Sequence, residues 1–144
     1  MRIALLAIAT FFLAPAIADV SGNKAAVAEA MALLDPARIA LDTAYKTHGN
    51  AFPSESEFQV SVPSSAQYVK SFVYWRQTPR WASLAVTFRS TSTANLGGIL
   101  LGVFGKGSET GEVSWTCDAM PSDTAVSPDE TANVRSHLPN ECRL

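Results

Sequence analysis

The sequence predicts an α+β domain: an N-terminal amphipathic helix packed on a four-stranded antiparallel sheet, followed by a C-terminal loop closed by a disulfide. Three observations carry this expectation. One apolar stripe runs at helical spacing between Lys24 and Thr47, four short β-rich runs follow residue 66, and two cysteines, Cys117 and Cys142, lie far apart in the chain. At 144 residues there is room for one domain. With 11 Lys+Arg against 13 Asp+Glu, the chain is not a strongly basic electrostatic binder. A hydrophobic content of 47% at low net charge excludes disorder.

The first segment reads as a targeting signal. Arg2 precedes an apolar run from Ile3 to Leu13, Pro15 breaks it, and Ala16 and Ala18 occupy the small-residue positions of a signal-peptidase site. Ile3 to Ala18 is 16 residues, short of the ~20 that span a bilayer. The expected division is therefore a signal peptide at 1–18 and a globular domain at 19–144. Cleavage after Ala18 removes only Arg2 from the charge count and leaves an exported domain with 10 Lys+Arg against 13 Asp+Glu, a charge of -3.

From Lys24 to Thr47, Val27, Ala30, Leu34, Ala37, Leu41 and Ala44 form the stripe, flanked by Met31 and Tyr45. At 1.5 Å per residue such a helix is about 35 Å long. Ser21 or Asn23 is its expected cap and Gly49 its stop, while Asp35-Pro36 is also an N-cap and first-turn pair. One kinked helix or two consecutive helices both fit. Residues 49–66, with Pro53 and Pro63 and no sustained period, read as an irregular surface connection. Strands are expected at Tyr68 to Arg76, Ser83 to Arg89, Ile99 to Phe104 and Val113 to Cys117, the first two joined by a turn at Gln77-Thr78-Pro79-Arg80. Short strands joined by turns imply a meander, and the helix supplies the one large apolar stripe left to cover it.

In an exported chain the two cysteines are expected to be joined. The enclosed segment, Asp118 to Glu141, holds three prolines and five carboxylates and promises little regular structure.

The motif order resembles a known family. A long helix ends in Thr47-His48-Gly49 and is followed by Phe52-Pro53, Leu84-Ala85-Val86-Thr87-Phe88 forms a strand, Trp115-Thr116-Cys117 ends the last one, and Leu138-Pro139-Asn140-Glu141-Cys142-Arg143 closes the chain. This is similar to the globular part of a type IV pilin over Ala25 to Arg143. The resemblance implies a half-helix on a four-stranded sheet and a C-terminal D-region closed by the Cys117–Cys142 disulfide. It also implies that pilins or pilus assembly proteins are the partners. The family's leader junction, Gly followed by Phe and a long apolar helix, has no counterpart at Gly22-Asn23-Lys24. The expectation is accordingly a soluble pilin-like protein of the periplasm or cell exterior, with a membrane-anchored minor pilin bearing a truncated helix at Ile3 to Ala18 as the alternative.

No catalytic constellation is visible. His48 and His137 are the only histidines, and neither has a Ser, Cys or carboxylate at motif spacing. No phosphate loop opens a helix, and Asp118, Asp123, Asp129 and Glu130 lack the alternation of a calcium loop. No enzyme, cofactor or metal is expected. Two groups of residues are candidate partner contacts. Met31, Leu33 and Ile39 lie off the helical stripe, and Trp75, Arg76, Arg80 and Trp81 crowd one hairpin. Aromatics beside arginines suit protein hot spots, sugars and single-stranded nucleic acid, so the hairpin is also the candidate site of a DNA- or glycan-binding module. A net charge of -3 disfavours nucleic acid. The plainer expectation is that Trp75 and Trp81 pair across the hairpin as a packed edge of the core.

Overall fold

The computed structural model describes residues 17–122 and 128–142. The expected signal segment 1–18 lies outside this range apart from the backbone of Ile17 and Ala18, as does Asp123. Among the described residues no helix is long and apolar enough to cross a membrane.

Helix α1 (Ile17–Thr47) is one continuous helix of 31 residues that passes through Pro36. Proline forfeits the hydrogen bond to the carbonyl four residues earlier, a loss of about 3 kcal/mol in a buried helix. Here both Pro36 and Ala32, which carries that carbonyl, are exposed, so water can satisfy it. The helix therefore continues where the Asp35-Pro36 pair offered a second start. Ser21 and Asn23 sit within the helix instead of capping it, because Asn23 is buried and donates from Nδ2 to Asn133 Oδ1 at 2.9 Å.

The sheet is a meander of order β1-β2-β3-β4, antiparallel throughout: β1 (Val69–Thr78), β2 (Trp81–Phe88), β3 (Ile99–Gly107) and β4 (Val113–Pro121). The expected turn at residues 77–80 shrinks to Pro79-Arg80, since Thr78 already pairs with Trp81 and Gln77 is bulged out of register. On one face Leu84, Val86, Phe88, Leu101 and Val103 are buried beneath α1. From the helix come Val27, Ala30, Leu34 and Leu41, together with Tyr45, which the sequence pattern placed only at the flank of the stripe. Tyr45 packs on Phe52 at 4.8 Å between ring centroids, and its hydroxyl donates to the Ser108 carbonyl at 2.8 Å. An aromatic with a polar tip spans from core to loop, which an apolar periodicity does not register.

The connection 49–66 is irregular as expected, yet it is pinned. Phe52 is buried, Phe58 packs edge-on against Tyr74, and the Tyr74 hydroxyl donates to the Pro53 carbonyl at 2.7 Å. Burial and the nearby Glu55 carboxylate push the Tyr74 phenol up to about 12. Where the connection enters β1, the Glu29 carboxylate on α1 accepts the backbone N–H groups of Gln67, Tyr68 and Val69 at 2.8 to 2.9 Å.

The Cys117–Cys142 disulfide is formed, with Cα atoms 4.8 Å apart. Its loop is more regular than its composition suggested. Helix α2 (Pro128–Ser136) opens on Pro128 with Asp129 and Glu130 in its first turn, and a short 3-10 turn (Asn140–Cys142) ends the described chain. Proline at the first helical position and carboxylates at the positive end are helix-starting signals, whereas proline and acid counts alone suggested loop. Thr131, Val134 and Leu138 are buried, which fastens α2 against β4 and α1.

Candidate functional site

Of the candidate contact residues, Ile39 on α1 and the two hairpin tryptophans are exposed on opposite sides of the sheet. Between Ala25 and Thr43 the exposed positions of α1 are Ala25, Ala28, Ala32, Pro36, Ile39, Ala40 and Thr43, spaced by threes and fours apart from the adjacent Ile39 and Ala40. Ile39 is 60% exposed. Met31 and Leu33 differ from it, being half-buried and packed against the core. Each ionisable side chain between Ala25 and Tyr45 has a partner, and the Asp35–Arg38 pair lies partly exposed on α1 itself. Glu29 holds the start of β1, Asp35 and Arg38 pair at 3.6 Å, and Asp42 accepts the Trp115 indole N–H at 2.8 Å. The outer ridge is left narrow, apolar and uncharged.

On the hairpin the sheet alternation separates the arginines from the tryptophans. Arg76 shares a face with Tyr74, the face that α1 covers. Its guanidinium donates to the Phe52 carbonyl at 3.1 Å, and its backbone N–H donates to Glu55 at 2.8 Å, which holds the Glu55 carboxyl below its ordinary range. Arg80, in the turn, pairs with Glu109 at 3.0 Å. Both arginines thus secure loops to the hairpin.

Trp75 and Trp81 point to the other face, which no described element covers, and are 63% and 48% exposed. They are not the packed pair expected from sequence. Trp75 lies opposite Ser83 and Trp81 opposite Thr78 and Lys106, so the two rings are diagonal neighbours rather than partners. Between them the bulged Gln77 donates its amide N–H to Ser83 Oγ at 2.7 Å. The Lys106 ammonium sits 5.3 Å from the centre of a Trp81 ring.

Lys106 escaped sequence reasoning because Gly105-Lys106-Gly107 looked like the end of a strand. A signal was present. The two glycines lie on the core face, where a Cβ would strike Trp115 from position 105 and Tyr45 from position 107, so the residue between them faces outward. The Gln77–Ser83 bond depends on the bulge, which no periodicity reports.

A third feature is a cleft of about 410 Å³ between α2 and β4, with the disulfide among its lining. Asp118 and Arg135 line it and close on each other through a two-bond pair at 2.7 and 3.2 Å. That hydrogen-bonded carboxylate holds the Arg135 guanidinium even more firmly protonated than usual.

An N-terminal helix laid on a four-stranded meander, with the last strand stapled to a C-terminal loop, defines a pilin-like domain. The family described as Pilin (bacterial filament) matches residues 23–143, and the chain belongs to it. No curated protein matches the chain. Pilins are structural, non-catalytic proteins, typically exported to the bacterial surface or periplasm, that associate with other pilus subunits, and membership makes this chain a pilus-subunit-like protein.

Proposed function

We propose that this chain is an exported, non-catalytic pilin-like protein that contacts type IV pilus subunits or their assembly machinery through the outer face of α1. Residues 1–18 act as its signal peptide and 19–144 as the working domain. The observation that supports the contact is the ridge of Ala25, Ala28, Ala32, Ile39 and Ala40, which carries no ionisable side chain of its own and is flanked by Glu29 and Asp42, bonded to the sheet, and by the Asp35–Arg38 pair on α1. Small apolar residues let a second helix approach closely, and no buried charge has to be desolvated on contact. Membership of a filament-forming family supplies the class of partner.

Glutamates placed at Ala32 and Ile39 test this. Both positions are exposed, so stability should change by no more than about 0.5 kcal/mol. Co-purification with pilus subunits from an envelope extract should be lost. Retention of those subunits by the folded double variant would move the contact off this face. Edman sequencing of the envelope form should begin at Asp19; an intact Met1 form in the membrane pellet would support the anchored alternative instead.

A further inference from the structure

The arrangement of Trp75, Gln77, Trp81 and Lys106 is left unused by a contact through α1. We propose that the open face of the sheet around Trp75 and Trp81 binds a neutral oligosaccharide.

Both indoles stand on a hydrogen-bonded sheet face that no described element covers, at 63% and 48% exposure. Their diagonal register sets the backbones about 7–8 Å apart, the length scale of a disaccharide. Trp75, the more exposed indole, offers an apolar surface of the kind that the C–H face of a pyranose covers, while one face of Trp81 carries the Lys106 ammonium. A tryptophan side chain has only two rotatable bonds, so ordering it on binding costs little entropy. Lys106 over the Trp81 ring restricts it further.

The polar groups around the rings select the ligand's charge. Gln77 lies between the tryptophans with one amide N–H committed to Ser83, which orients its amide oxygen as an acceptor for a hydroxyl. Ser114 and Thr116 continue the same face as exposed neutral hydroxyls. The hairpin's arginines are on Phe52 and Glu109, and the Asp118 carboxylate on this face is held by Arg135. Among the described residues that leaves Lys106 and the ion-paired Arg80 beside the indoles, too little to neutralise a run of phosphates. Val73 and Phe104 add apolar area to the same face, so an uncharged ring compound with a C–H face and hydroxyls complements it in polarity and charge.

The disulfide-bonded protein is titrated with chitotriose, maltotriose, cellotriose and N-acetyllactosamine, followed by amide chemical shifts in NMR. At least one should shift resonances of β1 and β2 on the Trp75 face, with an affinity that is insensitive to salt. Trp75→Ala and Trp81→Ala should each weaken that binding about tenfold or more while the melting temperature stays unchanged. Absence of shifts with all four sugars overturns the proposal, as does binding that survives both substitutions. So do two alternative outcomes: salt-sensitive binding of a single-stranded oligothymidylate at this face, or concentration-dependent self-association abolished by Trp75→Ala. None of these results depends on whether α1 contacts pilus subunits.

Discussion

Replacing Glu29 should loosen the junction between the helix, the 49–66 connection and the sheet in a pH-dependent way. One carboxylate gathers three backbone donors nearly 40 residues away in sequence, with Gln67 and Tyr68 at 2.9 Å and Val69 at 2.8 Å. A hydrogen bond to a charged group contributes about 1.5–3 kcal/mol net, but the three share one acceptor and do not add. Gln67 is exposed, so water can replace its bond, whereas Val69 is fully buried and its N–H would be stranded. Glu29→Ala should therefore cost about 2–4 kcal/mol, or roughly 8–16 °C in melting temperature for a domain of this size. Glu29→Gln keeps one oxygen for Tyr68 and Val69 and turns an amide toward Gln67, and should cost about half as much. Burial by itself would raise the Glu29 pKa, but the three N–H donors and Arg89 outweigh it and hold the folded value below the ordinary 4.5. A carboxyl depressed on folding stabilises fully above its unfolded pKa and loses that contribution as pH falls through the folded one. The gap between wild type and the Glu29→Gln variant should be constant above about pH 5 and narrow below pH 4.5. Urea unfolding of the disulfide-bonded proteins from pH 7 to pH 3 reads it directly. A Glu29→Ala variant within 0.5 kcal/mol of wild type, or a gap that does not narrow in acid, would refute the reasoning.

Two further perturbations probe the core. Replacing Cys117 and Cys142 by Ser should remove about 3.5 kcal/mol, the chain-entropy value for a loop of 25 residues, and an Ellman titration of the native protein should find no thiol before reduction. Gly105→Ala should cost about 1–3 kcal/mol by overpacking, because its Cβ would fall 2.7 and 2.8 Å from the Trp115 ring; an unchanged urea midpoint would show that the indole can move aside.

Much of the fold was legible because it rests on period and punctuation. The stripe from Val27 to Leu41 and the alternation of Leu84, Val86 and Phe88 each announce one buried face, and all four strands start within two residues of where their patterns place them. What the pattern could not register was tertiary. Tyr45 is buried because its hydroxyl reaches Ser108, and α2 forms because its sequence begins with helix-starting groups that composition alone reads as loop. The hairpin was located correctly as a cluster, but a residue list carries no faces. Once Arg76 is seen to share a face with Tyr74, the four clustered side chains divide into two that brace loops and two that face outward.

The treatment of the two sheet edges bears on how such a domain can associate. An edge strand with free N–H and C=O groups invites another strand to pair with it. Along β1 the 49–66 connection lies alongside, and the Arg76 N–H is taken by Glu55. Along β4 the Ala119 N–H is taken by the Asp118 carboxylate at 2.8 Å, Arg135 holds that carboxylate, and α2 with the 3-10 turn packs beside the strand. Charged groups and irregular chain thus occupy both edges at points where an added strand would have to bond. What remains open is the narrow outer ridge of α1 on one side and the tryptophan-bearing sheet face on the other. Recognition on either side has to proceed through side chains, helix against helix or ring against ring, and not by strand addition. Since the anchoring bonds of Glu29, Asp42 and Arg76 run to the sheet entry, to Trp115 and to Phe52 and not to these two surfaces, binding and folding can be perturbed separately. This is why exposed substitutions at Ile39 or Trp75 report on contacts, whereas Glu29 and the disulfide report on stability.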